Sequence, residues 1–294
     1  MHGILLVDKP LGLSSNAVLQ QVKRLFAASK AGHTGSLDPL ATGMLPICLG
    51  EATKFAQYLL DADKAYETTG QLGVKTSTGD AEGEIIEVCE SFSFSEVEVI
   101  SAVAQFQGEI VQTPSIYSAI KHKGKPSYIY ARQGKEVPQK SRQVHIHSNI
   151  LTEWNQPYFS LQVHCSKGTY IRSLVEDIGR ILDCGAHVVR LHRKHTAGYE
   201  NAPMYSLERL REAGEEERKS WVLPIETMVR NFPEQIISLA EIKTLHYGQV
   251  VRKDFTLSGT VRLHTEEGVF VGLGSIREDG LYVQRLLNSI TCGI

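Results

Sequence analysis

At 294 residues, 42% of them apolar and 22% charged, the chain has the composition of a globular protein of one large or two ordinary domains. No run approaches the roughly 18 apolar residues of a transmembrane helix, and five scattered cysteines (Cys48, Cys89, Cys165, Cys184, Cys292) without a Cys-x-x-Cys pair offer neither a disulfide frame nor a zinc site. They read as reduced thiols of a cytoplasmic protein, and a formal net charge of −2 argues against a chain that is basic throughout while leaving room for a local basic patch.

The chain opens with Gly3-Ile4-Leu5-Leu6-Val7, apolar too briefly for a signal peptide and read as a buried strand that turns at Asp8-Lys9-Pro10-Leu11-Gly12. Ser14-Ser15 supplies a cap, and Val18, Val22, Leu25 and Phe26 follow at helical spacing. Next comes Gly32-His33-Thr34-Gly35-Ser36-Leu37-Asp38-Pro39-Leu40-Ala41-Thr42-Gly43, where three glycines and a proline mark a shaped loop. Ala52, Phe55, Ala56, Leu59 and Leu60 predict a second amphipathic helix, so the loop is expected to be pinned between two helices.

Lys64 to Leu72 and Glu84 to Val88 read as strands around the polar turn Thr76–Gly83, whose acids lack calcium-loop spacing. Ser95 and Glu98 form a capping box before Val99, Ala102, Val103 and Phe106. Thr113 then leads into a basic island, with Lys121, Lys123, Lys125, Arg132, Lys135, Lys140 and Arg142 against the single acid Glu136. From Tyr158 to Cys165 strict alternation places Phe159, Leu161, Val163 and Cys165 inward. Ser166–Arg172 precedes a helix carrying Leu174, Ile178, Ile181 and Leu182, which Gly185-Ala186-His187 ends. In Val188 to Lys194, alternation puts Val189, Leu191 and Arg193 on one face and Arg190, His192 and Lys194 on the other. The Gly214–Lys219 segment is a solvated helix end. Past Phe232-Pro233, a capped helix (Ser238, Glu241) and strands near Thr260–His264, Val269–Leu273 and Leu281–Leu286 define a small β-rich module.

The one acid of the glycine loop is Asp38, set between Leu37 and Pro39-Leu40. A carboxylate with apolar neighbours is partly desolvated and needs a cationic partner to stay charged. Taken alone, such an aspartate is more often a turn cap. The whole string GHTGSLDPLATGMLPICLGEATK, residues 32–54, however, resembles the catalytic motif of pseudouridine synthases of the TruB family. Gly3–Pro10 is similar to that family's opening motif, Lys167-Gly168-Thr169-Tyr170-Ile171-Arg172 to its third, and Leu191 stands where a leucine closes the pocket. Ser77 departs from the family's usual aspartate in a Thr-Asp-Thr turn.

The resemblance implies an α+β fold. A mixed, mostly antiparallel sheet forms a catalytic domain over residues 1–230, and a small β-rich PUA-like RNA-binding domain occupies 231–294. It implies isomerisation of uridine 55 in the T arm of tRNA, with Asp38 as nucleophile, Arg172 as its ion-pair partner, and Tyr66, Tyr170 and Leu191 around the uracil. Tyr66 would stack on the base and is placed to relay a proton; His33 would fill the gap left by the flipped base; Lys9 would support the loop electrostatically. Residues 113–142 match the family's insertion, in which Lys121, Lys123, Lys125, Arg132 and Arg142 would clamp RNA phosphates. No cofactor, metal, membrane or obligate protein partner is implied, and the chain is expected to be a monomer.

The residues themselves leave the attack open: Asp38 could add to the sugar, add to the base, or abstract a sugar proton. A tRNA-folding chaperone with an idle site is the competing class. A carboxylate glycosidase lacks a second acid in the motif set, and a guide-RNA-dependent synthase is disfavoured by the bacterial wording of the motifs.

Overall fold

Two adjacent strands are apolar on both faces, which fixes the centre of the molecule. In Gly3–Lys9 (β1), Leu5 and Val7 meet the apolar face of the helix Ser15–Leu25 (α1), while Ile4 and Leu6 meet Phe55 and Leu59 on the other side. Such double coverage explains an uninterrupted hydrophobic run where a half-exposed strand would alternate. The computed structural model describes residues 1–113, 121, 122, 125, 126, 130, 133, 138 and 140–288.

In chain order, β2 is Ala31–His33, β3 is Ala41–Leu49 and β4 is Lys64–Leu72. Val74–Thr76 (β5) and Ile85–Val88 (β6) form a hairpin, followed by the helix Glu96–Ala104 (α2), strand Gly108–Gln112 (β7) and the ribbon of Lys121–His122 (β8) and Lys125–Pro126 (β9). Arg142–Asn155 (β10) and Tyr158–Cys165 (β11) pair antiparallel; the helix Ile171–Ile181 (α3), Ala186–Thr196 (β12) and Tyr205–Ser206 (β13) complete the first unit. The main sheet runs β13-β1-β3-β12-β4-β11-β10-β7, with β2 paired to β3. The β1–β13 and β3–β12 pairs are parallel and the rest antiparallel, the mixed sheet expected from the sequence.

α3 packs Leu174, Val175 and Ile178 against Phe159, Leu161 and Val163 of β11, joined by Val99, Ala102 and Val103 of the Ser95-capped α2. The second sheet is Glu234–Ile236 (β14), Gly259–His264 (β15), Phe270–Arg277 (β16) and Gly280–Leu286 (β17), with the helix Leu239–His246 burying Ile242 and Leu245 against it. Phe270, Leu273 and Leu287 of this module join the cluster of Ile4 and Phe55, and Lys54 Nζ donates to the Leu286 carbonyl at 3.0 Å.

Three local expectations are corrected. The glycine loop lies between strands β2 and β3, not between helices, because Met44–Leu49 is covered on both faces and a short apolar run carries no periodicity to separate strand from helix. The predicted second helix is a 3-10 turn at Gly50–Lys54 followed by a single α turn at Ala56–Leu60. In β12, an irregularity between Val188 and Arg190 buries Val188 in place of Val189.

Candidate active site

The loop between β2 and β3 is held by partners distant in sequence. Ser14 caps α1 by accepting from Ala17 N, which leaves Ser15 for another task. Buried Ser15 Oγ accepts from Leu37 N at 2.7 Å and donates to Leu37 O at 2.9 Å, so one hydroxyl fixes both polar groups of the residue before Asp38. Lys9 is fully buried, and its Nζ donates to the carbonyls of Pro10 (2.8 Å), Leu13 (2.6 Å) and Pro39 (3.3 Å). Burial lowers the Lys9 pKa to about 8 against the raising influence of Asp38 and Glu82. On the far side, Arg193 Nη2 donates to Gly35 O at 3.1 Å. Such a loop presents its side chain on a rigid support, as a reacting group requires.

Asp38 Oδ2 lies 3.0 Å from Arg172 Nη2. Arg172 sits in the first turn of α3, where 7% of its side chain is accessible, whereas 43% of the Asp38 side chain is open to the pocket. The same guanidinium, through Nη1, donates to Thr78 O at 2.8 Å and meets Asp80 Oδ2 at 3.3 Å. Asp80 is buried and held by Thr78 Oγ1 (2.5 Å) and Glu82 N (3.1 Å). Its turn is tied to β12 by Ala81 N to Val188 O and Val188 N to Gly79 O. Desolvation raises the Asp38 pKa above that of a free aspartate; Arg172 and Lys9 pull it down and Asp80 pushes it up.

The carboxylate faces a cavity of about 270 Å³, near the small end of ligand pockets. Tyr66, Tyr170, Ile171, Leu191, Lys64 and Arg193 line it with Asp38 and Arg172. Tyr66 of β4 and Arg193 of β12 are direct cross-strand partners. Burial raises the Tyr66 pKa, while the charge of Arg193 lowers it. Tyr170 precedes α3, its N–H and carbonyl engaged by buried Gln112 at 2.9 and 3.1 Å, and Arg142 stands 5.3 Å over its ring. Lys64 Nζ is spent on the carbonyls of Leu59, Leu60 and Ala62.

The residues singled out from sequence thus separate into groups. Asp38, Arg172, Tyr66, Tyr170 and Leu191 meet in one cavity. Lys9 is buried beneath the loop, with its ammonium turned to carbonyls. His33 lies on β2, outside the cavity lining; its Nδ1 is buried and has no hydrogen-bond partner among the described residues, and burial together with Arg193 lowers its pKa. Arg142 begins β10 and, with Lys140 and Lys167, lines a shallow hollow next to the cavity. Lys123 and Arg132 lie outside the described residues, as do the side chains of Lys121 and Lys125. Sequence reasoning gave no role to Ser15 beyond capping, nor to Asp80, Gln112 or Arg193. Among the described residues no group of three or more His, Cys, Asp or Glu side chains is disposed to hold a metal.

Comparison with known proteins defines the class. The N-terminal domain of TruB family pseudouridylate synthases matches residues 23–171, and two C-terminal domains, of tRNA pseudouridylate synthase B and of pseudouridine synthase II TruB, match 172–230 and 233–287. The fold is that of a chain in the crystal structure of a Cbf5-Nop10-Gar1 complex, with TM-score 0.73 at 24% identity, covering 97% of this chain and 84% of that one. The chain belongs to the TruB family of pseudouridylate synthases, which are isomerases. Among its relatives are proteins named tRNA pseudouridine synthase B from Actinobacillus pleuropneumoniae, 48% identical over 96% of this chain and 94% of that protein, and from Legionella pneumophila, 49% identical over 93% and 91%. A further one, from Haemophilus influenzae, is 48% identical over 95% and 91%.

Proposed function

We propose that the chain isomerises uridine 55 in the T arm of tRNA to pseudouridine, with Asp38 as the nucleophile. The observation that carries this reading is the Asp38–Arg172 pair at 3.0 Å in the mouth of a cavity walled by Tyr66, Tyr170 and Leu191. The reaction breaks the N-glycosidic bond, turns the base and rejoins it through carbon 5, with no net redox change and no water consumed. It needs an ionised carboxylate beside the sugar, a flat apolar slot for the base and little else. Arg172 keeps the partly desolvated carboxylate charged and aimed. Leu191 and the tyrosine rings suit a planar base that has left its stack, an excursion costing a few kcal/mol.

The relatives named for tRNA make tRNA the substrate of choice. Lys140, Arg142 and Lys167 beside the cavity would meet phosphates, the basic insertion of residues 113–142 would close on the arm, and the module from residue 231 would hold RNA beyond it. His33, at the edge of the site, would take the space of the flipped base. Carbodiimide labelling followed by reverse transcription tests the reading on an unmodified tRNA transcript. A single new stop at uridine 55 is expected. A stop elsewhere would overturn the substrate, and RNA binding with no stop would leave an RNA chaperone.

A further inference from the structure

The chain leaves the main sheet after Gln112, the last residue of β7, and rejoins it at Arg142, the first residue of β10; the two are direct partners in the β7–β10 register. Just outside this pair, Thr113 Oγ1 and Ser141 Oγ share a hydrogen bond of 2.8 Å. Both members of the neck reach Tyr170. Gln112 is 0% exposed, and its Oε1 accepts from Tyr170 N at 2.9 Å while its Nε2 donates to Tyr170 O at 3.1 Å. Arg142 holds its guanidinium 5.3 Å from the centre of the Tyr170 ring, within cation–π range. Gly168 leaves room for it, since a Cβ there would lie 3.3 Å from Arg142 Nη1.

Tyr170 is the N-cap of α3, followed at once by Ile171 of the cavity wall and by Arg172, the partner of Asp38. Its backbone therefore aims both its own ring and the first turn of the helix. A primary amide offers a donor and an acceptor on one carbon, so Gln112 brackets the N–H and carbonyl of a single residue as a neighbouring strand would. Being wholly buried, Gln112 acts inside the protein only. Arg142 is half-buried and lines, with Lys140 and Lys167, the hollow beside the cavity. We propose that Gln112 and Arg142 are positioning residues that couple this hollow to the uracil pocket. Gln112 fixes the backbone of Tyr170, and Arg142 divides its guanidinium between the Tyr170 ring and an RNA phosphate. This deepens the pseudouridine-synthase reading and rests on it.

The two residue types suit these duties. A planar guanidinium lies over an aromatic face and still presents N–H groups at its edge to a phosphate. A lysine ammonium, a point charge, keeps the phosphate and loses the planar contact. A phosphate bound at that edge fixes the guanidinium, and the guanidinium fixes the ring beside it. RNA seated in the hollow thus meets a pocket wall already set for the base. At Gln112, a glutamate would still accept from Tyr170 N, but when ionised it has no proton for Tyr170 O, which would then face a second acceptor. Misplacing the start of α3 shifts Tyr170 and Arg172 together, and a shift near 1 Å costs on the order of a hundredfold in rate.

The test measures single-turnover rates and tRNA affinity across salt concentrations in the full-length protein, and reads 3-fluorotyrosine at position 170 by ¹⁹F resonance. Gln112→Glu is expected to lower the rate on the order of a hundredfold, with tRNA affinity and its salt dependence as in wild type. Arg142→Lys should keep affinity and salt dependence and lower the rate roughly three- to tenfold. Arg142→Ala should in addition flatten the salt dependence by about one phosphate contact. Both Gln112→Glu and Arg142→Lys should shift the ¹⁹F resonance of residue 170. A wild-type rate in Arg142→Lys, a loss in Gln112→Glu confined to affinity, or a resonance that neither substitution moves overturns the proposal. The Arg142 arm leaves the core untouched and stands where Gln112→Glu fails to fold. A wild-type protein that forms no pseudouridine would instead fail the functional reading, and the ¹⁹F arm still decides whether these two residues position Tyr170.

Discussion

Asp80 and Arg172 meet at 3.3 Å, through a different guanidinium nitrogen from the one that holds Asp38. The arginine is thus shared between a half-open carboxylate and a buried one, and the buried one fixes where it points. Removing the Asp80 charge while keeping its shape isolates that role. Asp80→Asn is expected to unfold at lower urea concentration, by about 1–3 kcal/mol, because hydrogen bonds to a buried charged acceptor are weakened. Its single-turnover rate is expected to drop about tenfold or more, with tRNA affinity retained, as positioning effects act on the chemical step. Equal rates in variant and wild type would show that Arg172 is oriented without Asp80.

The pH dependence follows from the same pair. In the proposed reaction Asp38 acts as a carboxylate, and its pKa is raised by desolvation, so the rate should fall on acidification with an apparent pKa above that of free aspartate, 3.8. Asp80 contributes to that rise by repulsion, so the acid limb of Asp80→Asn should lie at lower pH than that of wild type. Single-turnover rates across the acid range measure this, and a limb that moves upward contradicts it.

Ser15 offers a test of the loop clamp away from the reacting atoms. Ser15→Ala removes both bonds to Leu37 and leaves a buried N–H and carbonyl without them, at a cost of about 1–3 kcal/mol. A displaced Asp38 should also lower kcat, by up to roughly a hundredfold for a shift near 1 Å, with KM little changed. A stability loss with unaltered kcat would show that the loop keeps its shape without Ser15.

Glu176 lies one helical turn beyond Arg172, packed against Gly79, and burial lifts its pKa from 4.5 to about 7 despite Arg172. An acid whose folded pKa is raised binds its proton more tightly in the folded state, so its contribution to stability is present at low pH and lost as pH rises through that window. Glu176→Gln should flatten the decline between about pH 4.5 and 7 by about 3 kcal/mol, at 1.36 kcal/mol per unit. Urea unfolding at several pH values decides it; identical slopes in the two proteins would contradict the shift.

Much of this site was legible in the order of residues, because its motifs are local strings. The glycine loop announced Asp38, and strict alternation in β11 and the capping boxes at Ser95 and Ser238 named their faces and ends. What stayed hidden depends on contacts between remote segments. Ser15 reaches across 22 residues to Leu37, Asp80 across 92 to Arg172, and Arg193 across 158 to Gly35. Each belongs to a stretch with an adequate local explanation: a helix cap, a polar turn, a strand residue. The strand β3 was hidden for a different reason, since coverage on both faces erased the alternation that marks a strand.

Tritium release from a tRNA transcript carrying [5-³H]uridine only at position 55 tests the role of Asp38 most directly, because joining the base through carbon 5 expels that hydrogen. Wild type should release the label in proportion to the tRNA supplied, whereas Asp38→Asn, expected to retain tRNA binding in a parallel filter assay, should release none above background. Release by Asp38→Asn at a rate near that of wild type would contradict the assignment of Asp38 as the nucleophile.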